Sequence, residues 1–544
     1  MTGRTKTFWK AIYWVGCILV FGILVARPVN AGKIVTISVV TTNDFHGWII
    51  PTERDGHLMG GAHWLEGYLN VIREENPGRV LHLDAGDIWQ GALISDYFSL
   101  EPAIEILNMM DLAAVGLGNH EIAIGIEKLQ EVGSQIDYPL LAGNVFYRPG
   151  HRPRGQGWRV WPLEPFVISK VKGVKVGLIG VIDPSVVAYF GPGSWVNQEL
   201  YFADPLMTVR NSLRQTERSG AILNIVLTHI QSTPDYQAEY LEYLACNPDP
   251  NRVHLIVTGH MHTAIAQEVC GIPVVQSWDW GTAFSRVDFN IDKSTHKVVG
   301  YRMNIAPTRI INPEDENPVT YQRWDTEESV EVIPDPLIQE RVEYWRQRYD
   351  DALNDIIGYI TDPLTFDFWD EHSMGDWISD RMREAFEYQV DFAVSRNTYA
   401  ELDEGDITLE EAYIIRNNEL IIVELTGNEV IQVLEEGITG TWAILQVSGL
   451  QFTIDLNQPV GSRIIGSVID TNTGLPIDSD TTYHMITTDY LANGSQGMYT
   501  LVANPQQNTE IFIRDYLIQW IRNNSPFTPP DPTVEQRITV LNKP

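Results

Sequence analysis

Between Lys33 and about Met303 the chain alternates short β-branched runs with longer amphipathic stretches, and this alternation limits its fold more than any other feature. Residues 34–40, 80–83, 113–117, 174–179, 222–227 and 253–257 read as buried strands. Residues 60–75 and 102–110 read as intervening helices. Such an order implies an α/β layered domain, whose ligand sites collect at the carboxyl ends of the strands.

Five short polar motifs stand at those ends. They are Asp44-Phe45-His46-Gly47, Gly86-Asp87, Gly118-Asn119-His120-Glu121, Thr228-His229 and Gly259-His260-Met261-His262-Thr263. A lone histidine near a strand end is ordinarily a hydrogen-bonded core or surface residue, and Asp after Gly is ordinarily a turn or a cap. That explanation would have to hold five times over, always at a strand end. A dinuclear metal site accounts for the whole set. A phosphate ester repels an anionic nucleophile, and two cations about 3.5–4 Å apart acidify water and neutralise the phosphoryl group. Asp44 and His46, two residues apart on an extended chain, are expected to point the same way and clamp one ion. Asp87 suits the bridging position, Asn119 offers an amide oxygen, and His229, His260 and His262 complete a mixed N/O set. Such a set is compatible with Mn, Zn, Fe or Co. His120 follows the ligand Asn119 directly and is the candidate to protonate a leaving oxygen or to hold phosphoryl oxygens. His57, His63, His82 and His254 lack such neighbours and read as structural.

A formal net charge of -33 argues against a nucleic-acid polymer as partner, since phosphate backbones need a basic surface. It leaves room for a small phosphorylated substrate, because bound cations set the local potential. Arg4, Lys6 and Lys10, the apolar run 11–26 and the small residues ending at Ala31 make a signal peptide with cleavage after Ala31. The protein is therefore expected to be exported, to a periplasm, cell surface or medium. A membrane would be touched only through this segment, were it retained. Cys246 and Cys270 then remain, able to pair in an oxidising compartment. At 544 residues two or more domains are expected. After residues 32–304, residues 305–357 read as a proline-rich acidic linker and a connecting helix from Pro336 to Ile357. Residues 358–525 read as a second α/β domain with a last helix at 509–523, and 526–544 as a loosely ordered tail.

The five motifs resemble those of the calcineurin-like metallophosphoesterases. Their order and the C-terminal half resemble the secreted 5'-nucleotidase / UDP-sugar hydrolase family, over roughly residues 33–525. In the second domain the likeness rests on Met374-Gly375-Asp376, Gly405-Asp406-Ile407-Thr408, Val423-Glu424-Leu425-Thr426-Gly427, Leu445-Gln446-Val447-Ser448-Gly449-Leu450 and Asp489-Tyr490-Leu491-Ala492-Asn493-Gly494. The resemblance implies a four-layer αββα sandwich followed by a C-terminal α/β substrate-binding domain. It implies Asp44, His46, Asp87 and His262 around one divalent ion, and Asp87, Asn119, His229 and His260 around the other. His120 would be the catalytic histidine, and the reaction the hydrolysis of nucleoside 5'-monophosphates to nucleoside and phosphate. The same chemistry on a sugar phosphate, cyclic nucleotide or UDP-sugar is the alternative, and a metal-retaining binding protein without turnover is another.

The chain departs from the family at three places. The aspartate expected three residues after the catalytic histidine is Ala123, and Glu121 is expected to point elsewhere. The Gly-rich loop that grips phosphate reads Val394-Ser395-Arg396-Asn397-Thr398-Tyr399, with Arg396 the candidate substitute. Of the two rings that clamp a base, Tyr490 matches one, whereas the other position falls on Arg416, whose planar guanidinium can stack. To this third departure belongs Gln496, which replaces the acid the family places after its Asn-Gly-Gly.

Overall fold

The structure, a computed structural model, describes residues 34–544 apart from 55, 156, 186–189, 191–192, 231–233, 248–251, 313–317, 387–388, 397–400, 414 and 416. The expected signal peptide lies outside the described residues. Among those described, no helix is long and apolar enough to cross a membrane.

Two sheets make the first domain. In one, Ile34–Thr42, Val80–Asp84, Leu112–Gly116 and Leu140–Leu141 run parallel, and Ala283–Asp292 joins antiparallel beside the first of them. In the other, Val174–Ile182, Leu223–His229, Leu255–Gly259 and Ile272–Ser277 run parallel. Strand side chains alternate between faces, so each run serves two cores. Ile37, Val39, Leu178, Leu223, Ile225, Leu227, Leu255 and Val257 meet between the sheets. Val226 and Ile256 point outward, into a cluster with Leu206, Val209, Leu213, Leu241 and Leu244 from two covering helices. Val40 and Val115 point the other way, against Leu65, Leu69, Ile104 and Leu107. The result is helix, sheet, sheet, helix. Every parallel strand that carries a motif ends on the same edge of this sandwich.

The described residues of 305–335 are not a free linker. Thr320–Gln322 and Ser329–Glu331 pair as a hairpin, and Tyr321 is buried against Tyr68 and Phe284. Arg286, wholly buried, bonds Glu75 and Asp288 and lies 4.3 Å from the Trp324 ring, locking that hairpin to the sandwich. Pro336–Leu353 forms one helix, capped by the Asp335 side chain. Its Ile338, Val342 and Trp345 enter the first domain's core and Leu353 the second's, so it joins the two.

The second domain has a five-stranded sheet, in the order Gln446–Ser448, Phe392–Ser395, Thr482–Thr488, Glu419–Thr426, Gln506–Phe512. Residues 506–512 are thus a strand, and the last long helix begins later than expected, at Ile513. The tail is ordered, contrary to expectation. Ile538–Leu541 pairs in parallel with Leu450–Asp455, and Phe527 stacks on Trp377. Cys246 and Cys270 are bonded to each other, closing a loop that carries His260 and His262.

Candidate metal centre

Asp44 and His46 follow the strand Ile34–Thr42, Asp87 follows Val80–Asp84, and Asn119 and His120 open a short helix after Leu112–Gly116. His229 ends its strand, and His260 and His262 follow Leu255–Gly259. All converge: Asp44, His46 and His262 form one metal-capable group, Asp87, His229 and His260 another, and His46, Asp87 and His120 a third between them. Asp44 and His46 do not reach this point along an extended chain. Both have φ near 51°, and Asp87, His260 and His262 are left-handed too. Such backbone is costly for residues with a Cβ and is kept where function over-determines it. A Cβ on Gly118 would overlap the Asp87 carboxylate, so only glycine lets the two loops approach this closely.

The donor atoms have the character of a cation site. His46 Nδ1 donates to the Gln90 carbonyl at 2.7 Å, and His262 Nδ1 faces the Asp279 carboxylate at 3.0 Å. When both rings are neutral each presents a lone pair at Nε2, and the two Nε2 atoms face one another at 3.1 Å. Asp44 Oδ1 lies 3.6 Å from one and 4.0 Å from the other. These three atoms could hold a divalent ion, and Gln90 and Asp279 already fix the two rings from behind. On the other side His229 Nδ1 donates to the Ala85 carbonyl at 3.0 Å, while Nε2 lies 3.0 Å from Asp87 Oδ2. Asn119 Oδ1 is 2.8 Å from His260 Nδ1. Burial pushes Asp44 up to about 6 and lowers His46 to about 4 and His260 to about 3. Burial also opposes charge on Asp87 and His229. Their mutual attraction outweighs it, holding Asp87 well below its ordinary range and His229 up at about 10. A cation taken by this pair must displace that proton.

Sequence reasoning missed three supports. The Glu121 carboxylate, wholly buried, accepts the backbone N–H groups of Asp87, Ile88 and Gly118 at 2.8 Å each. It binds the Asp87 loop to the Asn119 helix, and its spacing from Gly118 is that of a capping box. Asn43 bonds Asp44 Oδ2 at 2.7 Å and accepts the Ser277 N–H at 2.6 Å. Asp279 is the third, paired with Arg54 as well as with His262. Asp279→Ala is expected to weaken binding of the ion at His262 by about 10–100-fold, read by competition against a chelating dye. An unchanged affinity would mean that His262 is oriented by packing alone. His120 sits with its ring 4.5 Å from that of His46, and Asp87 Oδ1 accepts its backbone N–H at 2.8 Å. His63, His82 and His254 belong to none of these groups.

The second-domain candidates fare differently. Tyr490 is half-buried on the short helix Asp489–Ala492, and the turn after it meets the first domain, where Gly193 N–H donates to the Asn493 carbonyl at 3.1 Å. Arg396 does not face solvent. It is buried, with its guanidinium on the Gly437 carbonyl and on Gln496. Arg416 and Tyr399 lie outside the described residues.

Comparison with known proteins fits this geometry. A family model for calcineurin-like phosphoesterases matches residues 37–264, and one for the 5'-nucleotidase C-terminal domain matches residues 356–503. The trifunctional nucleotide phosphoesterase of Bacillus subtilis is 25% identical over 89% of this chain, which spans only 33% of that protein's length. The 5'-nucleotidase of Vibrio cholerae is 23% identical, covering 92% of this chain and 93% of its own. Among solved structures, the 5'-nucleotidase precursor of Thermus thermophilus superposes with a TM-score of 0.65 at 22% identity, over 94% of this chain and 100% of that one. Two matched domains in this order and a shared two-domain fold place the chain: it belongs to the calcineurin-like phosphoesterases that carry a 5'-nucleotidase C-terminal domain.

Proposed function

We propose that the protein is an exported two-metal phosphoesterase that hydrolyses nucleoside 5'-monophosphates. The observation that carries the reading is the pair of imidazole Nε2 atoms of His46 and His262, facing one another beside Asp44. Two divalent ions held by this cluster would supply Lewis acidity to the phosphoryl group and lower the pKa of water. Asp87 lies between the two ligand groups and fixes His120 through its backbone. His120, on the rim beside His46, is placed to donate a proton to the leaving oxygen. Tyr490, at a turn that touches the first domain, is the candidate for stacking on a base. Export is supported by the Cys246–Cys270 bond, which persists in oxidising compartments. A relative in Listeria monocytogenes, 24% identical over 89% of this chain, is named a cell wall protein.

A second reading is favoured by Arg396. Its guanidinium keeps its charge but is buried, with Nη1 on Gln496 and Nη2 on the Gly437 carbonyl, so fewer of its N–H groups are left for a phosphate. The same chemistry would then act on a sugar phosphate, a cyclic nucleotide or a UDP-sugar. The two readings separate when residues 32–544, loaded with Mn or Zn, are given AMP and an aryl phosphate. A nucleotidase prefers AMP, and Tyr490→Ala lowers kcat/KM for AMP by about tenfold while leaving the aryl ester alone. Equal rates on both esters, insensitive to Tyr490, would remove nucleotides from the proposal and leave the phosphoesterase.

A further inference from the structure

A cleft of about 560 Å³ lies between the helix Pro205–Arg218 and the chain from Gly143 to Pro165. Its size suits a small ligand. None of its lining residues belongs to the metal centre. The surrounding chain has an unusual charge: residues 148–175 carry seven lysines and arginines against one acid, Glu164, in a protein of net charge -33.

The wall of the cleft is built by strand pairing. Tyr201 faces Phe146 across one antiparallel pair, and Phe146 bridges to Arg159 on its other side. Paired residues on antiparallel strands share a face, so the three form one row. The Arg159 guanidinium lies 5.4 Å from the Phe146 ring centroid. Its Nη1 is buried and has no hydrogen-bond partner among the described residues. Burial holds this guanidinium below its ordinary pKa, with Glu164 offsetting only part of the effect. Across the cleft, Arg214 and Arg218 stand one helical turn apart beside Thr208 and Asn211. One carboxylate, Asp204, lines the cleft, and three arginines outnumber it. Asp204 accepts from the Met207 backbone and the Tyr243 hydroxyl, and Glu217 holds Arg252.

We propose that this cleft is a second anion site, separate from the metal centre, that takes a phosphate or phosphate-monoester dianion against Arg159, Arg214 and Arg218. An arginine fork matches phosphate oxygens, and an anion here gives the buried Nη1 the partner that the protein does not supply. Thr208 and Asn211 add neutral donors.

The test is isothermal titration of the Mn-loaded protein with inorganic phosphate. The intact protein is expected to bind one equivalent at the metal centre and a second in the cleft. Arg159→Ala should lose the second equivalent with kcat and KM unchanged. Arg214→Ala/Arg218→Ala, both at exposed positions, should weaken it by about tenfold. Asp87→Ala should lose only the other equivalent, so failure of the metal reading and failure of this one are told apart. Identical isotherms for the intact protein and both arginine variants would overturn the proposal. So would binding of dextran sulfate without any saturable phosphate site, which would make the arginines a general polyanion surface.

Discussion

Asp87→Ala is expected to strip the centre of bound metal and to lower turnover on any phosphate ester by about a thousandfold. Asp87 lies at the middle of the ligand set. Its Oδ2 is 3.0 Å from His229 Nε2 and 3.9 Å from His46 Nε2, which belong to different metal-capable groups. Its Oδ1 fixes the backbone of His120. No other carboxylate among the described residues appears in more than one of the three groups. Asp87 is the one carboxylate among the described residues that would be shared if two ions were held here, and loss of several kcal/mol of transition-state stabilisation is expected, each 1.36 kcal/mol being tenfold in rate. Metal per chain by mass spectrometry and kcat on an aryl phosphate read the two effects. Asp87→Asn keeps an acceptor for the His120 N–H while losing the charge. It should fold normally and still lose turnover. A variant at Asp87 that keeps two ions per chain and most of its activity would sink the two-metal reading.

The convergence of these ligands was legible because parallel strands share one carboxyl edge, and each motif follows a strand in sequence. How Asp44 and His46 get there was not. An Asp-x-His spacing read as extended chain gives the right neighbours for the wrong reason, since the left-handed backbone at both residues is imposed by the loops packed around them. Trp280 N–H on the Asp44 carbonyl and Ala92 N–H on the His46 carbonyl are such contacts, both with residues distant in sequence. Glu121 carried a readable sign, an acid three residues past a helix start, but its three backbone partners come from two separate loops. Asp279 carried none, because its value lies in facing His262 and Arg54 together. The segment 305–335 misled through its prolines and acids. The alternation of Val319 with Tyr321, and of Val330 with Val332, was the better sign of strand.

Deleting residues 526–544 is expected to unfold the second domain. The sequence from Pro526 onward, rich in proline, reads as disposable, yet it closes two layers of that domain. Phe527 stacks on Trp377 at 5.6 Å between centroids and meets Trp520 edge-on at 5.0 Å. Its N–H donates to the Tyr359 carbonyl and its carbonyl accepts from Thr361. Loss of one such ring costs about 3–5 kcal/mol. Arg537 bonds both oxygens of Asp380 at 2.8–2.9 Å and lies 3.8 Å from the wholly buried Asp376. Burial pushes Asp376 up to about 9, against the pull of Arg537. Removing the arginine takes the bidentate partner from the partly buried Asp380, at a further cost of about 1–3 kcal/mol. The two losses together approach the roughly 5–15 kcal/mol that holds a typical domain folded, before the strand Ile538–Leu541 is counted. The truncated chain should therefore lose one of its melting transitions, and limited proteolysis should release the first domain intact. Hydrolysis of an aryl phosphate should persist on that domain, while any preference for AMP disappears. Phe527→Ala and Arg537→Leu, each alone, should lower the second domain's melting temperature without abolishing its transition. A truncated protein that melts like the intact one and still prefers AMP would show that the tail only decorates the fold.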